Sequence, residues 1–296
     1  MSLVITIKGK VTEQVYEREI LPQFEHARKI LHAGQIVVVD LSGLSFVGPS
    51  FPAVMLIMMG DLAENVGAKV LLVPPESQYT SAYLERLDFF TYAGFVADFD
   101  TAFMLNISKY KENKNSRTIL KINRICEESG ARSIVNNLLI HGYDIISSNL
   151  HYNPVEIDQF LQIVAELCLN ITDHSESWGV VLIQYLSYLA RPIVRISVVD
   201  KGIGIKSSLF KKYAEYGNKS DCDCIKAVLR EGITRKSGHP LGLFAIRCFV
   251  SRWHGVMKIR SGTGKVWITE NNKEKQVSRL IMFPGTHADI QLPLQN

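Results

Sequence analysis

Pro192-Ile-Val-Arg-Ile-Ser-Val-Val-Asp200-Lys-Gly202-Ile-Gly204-Ile205 is the passage that decides the fold of the larger part of this chain. Residues 192–199 are rich in β-branched side chains and read as a strand, which ends on an acid followed by two glycines. Glycines just past a strand allow φ > 0 and let the backbone come close to a ligand. A buried Asp at a strand end can accept a hydrogen bond from an exocyclic amine, which is how an adenine is distinguished. A strand-end turn with no ligand fits the same residues, so the flanking sequence has to arbitrate.

Upstream, residues 180–189 read as the adjacent strand, and a long helix is expected over 155–175. That helix contains Glu166-Leu-Cys-Leu-Asn170-Ile-Thr-Asp173-His174. Glu166 and Asn170 are four apart and share a face, with Asp173 and His174 one turn further on. A carboxylate and an amide aligned this way can position a water and bind a hydrated metal, although the same spacing is common on a solvated helix face. Residues 118–129 and 131–139 read as two further helices. Downstream, Glu231-Gly-Ile-Thr-Arg235-Lys236-Ser-Gly238-His-Pro240-Leu-Gly242-Leu243-Phe-Ala-Ile-Arg247 reads as a basic, glycine-bearing loop running into a helix. Backbone N–H groups at a helix start, with Arg235 and Lys236 nearby, suit a polyphosphate. Strands are expected at 256–260, 280–283 and 286–292, with a hairpin turn over 271–275.

Taken in order, Glu166…Asn170, Asp200-x-Gly202-x-Gly204, Gly238…Gly242-Leu243 and Gly285-Thr286 resemble the ATP-binding domain of the GHKL superfamily. That superfamily comprises gyrase, Hsp90, histidine kinases, MutL and the anti-sigma serine kinases. The resemblance covers about residues 150–293 and implies an α/β sandwich, a mixed sheet with helices on one face, holding ATP with Mg²⁺. It implies a role for each matching residue. Asn170 would ligate the Mg²⁺, and Glu166 would be the general base or water-positioning group. Asp200 would contact the adenine amine. Asp173 and His174, beside the Asn170 turn, are read as lying by the nucleotide, with a capping or core role as the alternative for His174. Gly202 and Gly204 would shape the base pocket, Gly238, Gly242 and Leu243 would belong to the phosphate lid, and Thr286 would support the adenine. Pro240 stands where the lid series carries another glycine, which implies a stiffer lid with one fewer N–H donor.

The first part of the chain alternates strand and helix signals. Strands are expected at 4–7, 36–39 and 70–73, and helices at 21–31, 52–66 and 79–87. This order implies a parallel or mixed α/β sheet. It resembles, over about residues 3–100, the STAS domain of anti-sigma-factor antagonists, mainly through Ile36-Val-Val-Val-Asp40-Leu-Ser42-Gly-Leu-Ser-Phe-Val-Gly-Pro49-Ser50-Phe51. The resemblance implies a mixed sheet with helices. On that family's pattern Pro49 falls at the position of the phosphorylated Ser or Thr and offers no hydroxyl. Ser50 reads as the N-cap of the next helix, with a phosphoacceptor role as the alternative.

Charge follows the same division. The 296 residues carry a formal net charge of +4, yet residues 1–110 hold eight Lys and Arg against twelve Asp and Glu, a net of −4. The remainder holds twenty-five against seventeen, a net of +8, and all five cysteines. The polar run 109–117 separates the two, so the expected parts are 1–108, a linker and helical connection over 109–154, and an ATP-binding domain over 155–296.

A composition with 47% hydrophobic residues excludes disorder, collagen-like repeats and a coiled-coil rod as the main architecture. Residues 41–60 are free of charge but are broken by Pro49, Pro52, three glycines and three serines, so a buried helix after a loop is expected rather than a membrane span. Few and odd-numbered cysteines, with no basic and apolar leader at the N-terminus, lead to a cytoplasmic expectation. The pair Cys222 and Cys224 lacks further ligands nearby and reads as an exposed loop, whereas Cys168 and Cys248 read as core. Scattered aromatics and a spread basic excess argue against nucleic acid.

The function the two resemblances imply is a cytoplasmic signalling protein that binds Mg–ATP and acts as an ATPase or serine kinase on a partner protein. The alternative is a non-catalytic nucleotide-gated switch or a STAS-like scaffold. None of the eight histidines begins a histidine-kinase acceptor pattern, and His26 reads as a surface residue. A homodimer is left open.

Overall fold

In a computed structural model, residues 2–99, 103, 107, 110, 118–143, 146–147, 151–187, 191–230, 233 and 242–294 are described. The chain divides into two compact units, Met1–Ser116 and Arg117–Asn296. Both mix helix and sheet, so the chain is α/β.

The first unit runs β1 (Leu3–Thr6), β2 (Gly9–Val11), helix α1 (Leu21–Ile30, entered through Glu13–Val15 and the π-helical Tyr16–Ile20), β3 (Ile36–Asp40), β4 (Leu44–Val47), α2 (Phe51–Gly60), β5 (Lys69–Val73), α3 (Gln78–Arg86) and α4 (Phe89–Ala93). Its sheets are β1-β3-β5 and β2-β4, and every pair is parallel rather than mixed. Paired strands are separated in sequence by a helix or a further strand, which suits parallel pairing. All ten residues of α2 are buried, which accounts for its lack of charge. No helix among the described residues is long and apolar enough to cross a membrane.

The structure overturns the capping role of Ser50. Its backbone is already helical at φ −83° and ψ −13°, and its side chain makes no capping hydrogen bond. A capping hydroxyl reaches the first-turn N–H groups from the extended region, and here the chain has already turned through Phe51 N–H on the Gly48 carbonyl.

The second unit runs β6 (Thr118–Ile125), α5 (Glu128–Asn137), α6 (Pro154–Asn170, continued by the π-helical Ile171–Ser175), β7 (Gly179–Leu186), β8 (Ile193–Asp200), α7 (Gly204–Phe210), a 3₁₀ turn (Ala214–Asn218), α8 (Asp221–Val228), α9 (Gly242–Arg252), β9 (Val256–Gly262), β10 (Gly264–Ile268), β11 (Glu274–Val277) and β12 (Phe283–Pro293). The seven strands lie in the order β11-β10-β9-β12-β8-β7-β6. All six pairs are antiparallel, where a mixed sheet was expected. Short links between β7 and β8 and through β9, β10 and β11 set that direction, and β12 returns between β9 and β8.

One face of the sheet supplies Val181, Ile183, Val194, Ile196, Val198 and Ala288 to a core shared with α5 to α9. α6 begins with a capping box between Asn153 and Glu156, with Pro154 in its first turn, so its start is well determined.

The structure differs from three further sequence expectations. Thr118–Ile125 is an edge strand, not a helix. Ile119, Ile122 and Ile125 recur every three residues as on a helix, and two register shifts against β7 let that spacing serve a strand. Residues 280–282 are not strand but lead into β12, which is a single strand with a bulge between Phe283 and Thr286. Cys222 and Cys224 are not in an exposed loop. They are buried on α8, while Cys248 is exposed on the outer side of α9. Burial pushes the Cys224 thiol up to about 11 and that of Cys168 up to about 12, so neither is a ready thiolate.

Candidate functional site

A cavity of about 930 Å³, counting its open side, lies between α6 and the sheet, closed by α7 and α9. α6 and its π-helical end contribute Glu166, Asn170, Asp173 and His174, the strand ends contribute Asp200 and Thr286, and Gly204, Gly242 and Leu243 complete the ring. Ile205, Leu209, Val228, Ile233 and Ile259 give it an apolar wall.

Gly202 does not line the cavity. It sits behind it, where a Cβ would fall 2.1 Å from the Ser175 carbonyl oxygen. Its work is to let the β8–α7 loop press against the end of α6, where Ile203 N–H donates to that carbonyl at 2.9 Å. Arg235, Lys236 and Gly238, together with Pro240, lie outside the described residues.

At the sheet end, Asp200 is buried, and its Oδ1 accepts the Gly202 N–H at 2.8 Å. Burial pushes its carboxyl up to about 7, against backbone N–H groups of Gly202 and Thr286 that hold it down. Gly285 permits the close crossing of β12 over β8. It has φ +77°, and a Cβ there would stand 2.0 Å from the Asp200 carbonyl oxygen. Thr286 pairs in register with Asp200 on one side and with Ser261 of β9 on the other.

At the helix end, Glu166 is buried and its Oε1 accepts the N–H of Gly242 at 3.0 Å, so the carboxylate sits at the start of α9. Asn170 donates its amide Nδ2 to the Glu166 carbonyl at 2.8 Å, which leaves its oxygen as the atom free to ligate. Among the described residues lining the cavity there are three carboxylates and neither Lys nor Arg. A polyphosphate in such a lining requires a cation, and the Asn170 oxygen is a hard ligand of the type Mg²⁺ takes. Among the described residues no group of three His, Cys, Asp or Glu could hold a metal by itself.

Sequence reasoning missed Ser261. It is buried on β9, 24 residues before Gly285, and only strand pairing brings its hydroxyl to the β8–α7 loop. It missed the apolar wall as well, since those side chains look like ordinary core residues in sequence.

A scan against protein-family models finds none that matches, and a search of the curated proteins finds no matching relative. The fold and cavity therefore define the class only as a two-unit α/β protein whose second unit carries an acidic, apolar-walled pocket between a helix and one face of an antiparallel sheet.

Proposed function

We propose that the second unit binds Mg–ATP and that the protein is a cytoplasmic signalling regulator, acting as a GHKL-type ATPase or serine kinase on a partner protein that the STAS-like first unit helps to engage. The observation that carries this reading is a cavity lined by residues between Glu166 and Ala288, with a buried acceptor carboxylate at one end and a helix start at the other. An exocyclic amine would donate to Asp200, the base would lie on the apolar wall, and the phosphates would reach toward α9. Mg²⁺ on Asn170, when bound, would neutralise phosphate charge. Asp173 and His174 stand beside that position. Titration calorimetry with ATP, with and without Mg²⁺, tests the reading. One saturable Mg²⁺-dependent site is expected, and no heat at millimolar nucleotide overturns it.

The bond from Gly242 N–H to Glu166 favours a second reading, a non-catalytic nucleotide-gated switch. A carboxylate oxygen that already accepts the helix-start N–H has one lone pair fewer to receive a proton from water. Measured turnover with and without the Glu166 carboxylate separates the two.

A further inference from the structure

We propose that Ser261 is the residue that sets base selectivity at this site. Its hydroxyl fixes the hydrogen-bonding sense of Thr286, so that Thr286 joins ionised Asp200 as an acceptor at the base end. This inference rests on the nucleotide reading and names the chemistry of the base it takes.

Ser261 is buried on β9 and does not itself line the cavity. Its Oγ accepts the Ile205 N–H at 3.0 Å, which ties down the first turn of α7. It donates its single proton to the Gly285 carbonyl at 3.0 Å, which ties down the β12 bulge. The remaining partner is Thr286 Oγ1 at 3.4 Å.

A serine hydroxyl has one proton and two lone pairs. With the proton on Gly285 and one lone pair on Ile205, only a lone pair faces Thr286. The Thr286 hydroxyl therefore donates to Ser261, and the lone pairs of Thr286 are what it offers to the cavity. Asp200 beside it, when ionised, is also an acceptor. A base that presents an amine at this end finds acceptors, and one that presents a carbonyl oxygen finds no proton on Thr286 or on ionised Asp200. Gly204 and Gly285 make the arrangement sterically feasible. Both have φ above +70°, and a Cβ on Gly204 would fall 2.9 Å from Ser261 Oγ.

The test compares ATP with inosine triphosphate, which carries a carbonyl oxygen where ATP has its 6-amino group and a proton on the neighbouring ring nitrogen. Affinities are measured in Mg²⁺ for the full chain and for Ser261→Ala. Removing the Ser261 hydroxyl frees the Thr286 proton, so ATP binding is expected to weaken about 10-fold while the inosine nucleotide holds or tightens, shrinking their ratio about 10-fold. A residue that only supports the fold would weaken both nucleotides alike, and that result, or an unchanged ratio, overturns the inference. Thr286→Val keeps the side-chain shape and removes the hydroxyl, so it must shrink the same ratio, and it decides the matter if Ser261→Ala does not fold. A parent protein that binds neither nucleotide removes the nucleotide reading itself, whereas a parent that prefers ATP with an unmoved variant removes only the role of Ser261.

Discussion

The two ends of the cavity are built differently. At the sheet end the polar groups are fixed by backbone: Asp200 by N–H groups of Gly202 and Thr286, Thr286 by pairing with β8 and β9, and the whole crossing by two glycines with positive φ. At the helix end, Glu166 and Asn170 hang from one face of α6 and are held through side-chain bonds, Glu166 to the Gly242 N–H and Asn170 to the Glu166 carbonyl. Backbone fixation places an atom without spending side-chain freedom, so it suits selection of a base. Side-chain fixation lets a group change partner, which suits phosphate and metal chemistry.

The largest expected effect breaks the sheet end outright. Gly285→Ala places a Cβ against the Asp200 carbonyl in a left-handed backbone, and neither strand can yield without losing pairing. We expect destabilisation of about 3 kcal/mol or more, read as a fall in Tm of roughly 10 °C or as loss of soluble protein. A variant that melts with the parent would show that the crossing is not tight.

Asp200→Asn tests the same end through charge. The native carboxyl, at about 7, holds its proton more tightly than an unfolded Asp near 3.8. Stability contributed by the protonated form is present below the unfolded value and is lost as pH rises toward 7. The resulting penalty at pH 8 is at most about 4 kcal/mol. The Asn variant should therefore melt higher than the parent at pH 8 and lose that advantage near pH 4, while binding ATP about 100-fold more weakly. For the parent, ATP affinity should fall as pH drops below about 7, because the acceptor is then protonated. A pH-independent affinity would break the assignment of Asp200 to the base.

The helix end should respond in rate more than in fold. Glu166→Gln keeps an oxygen for the Gly242 N–H, so the Tm and the ATP affinity should change little. If Glu166 acts as a base, turnover should drop about 100-fold. Equal rates in parent and variant would place the protein with the switches. Asn170→Ala should produce the smallest change, raising the Mg²⁺ concentration needed for ATP binding about 10-fold. Binding that ignores Mg²⁺ in both proteins would remove Asn170 as a ligand.

Much of the site was readable before the fold because its residues lie in short runs, namely 166–174, 200–204, 242–243 and 285–286, where local spacing carries meaning. The π-helical turn at Ile171–Ser175, the indirect place of Gly202 and the role of Ser261 were not readable, because each depends on what the backbone meets from elsewhere. Glycine signals freedom in a sequence, but it does not say whether that freedom is used to face a ligand or, as with Gly202 and Ser175, to pack one chain segment on another.

The sequence by itself determined the two-part division, the α/β class, the long helix bearing Glu166 and Asn170, and the strand ending at Asp200, since periodicity, β-branched runs and caps act over a few residues. Only the tertiary structure decided that Thr118–Ile125 is a strand, that the second sheet is antiparallel throughout, that Ser50 does not cap its helix, and that Ser261 reaches Gly285 and Thr286. Those outcomes depend on strand register and on bulges, which are settled by the packing of residues distant in sequence and leave no local trace.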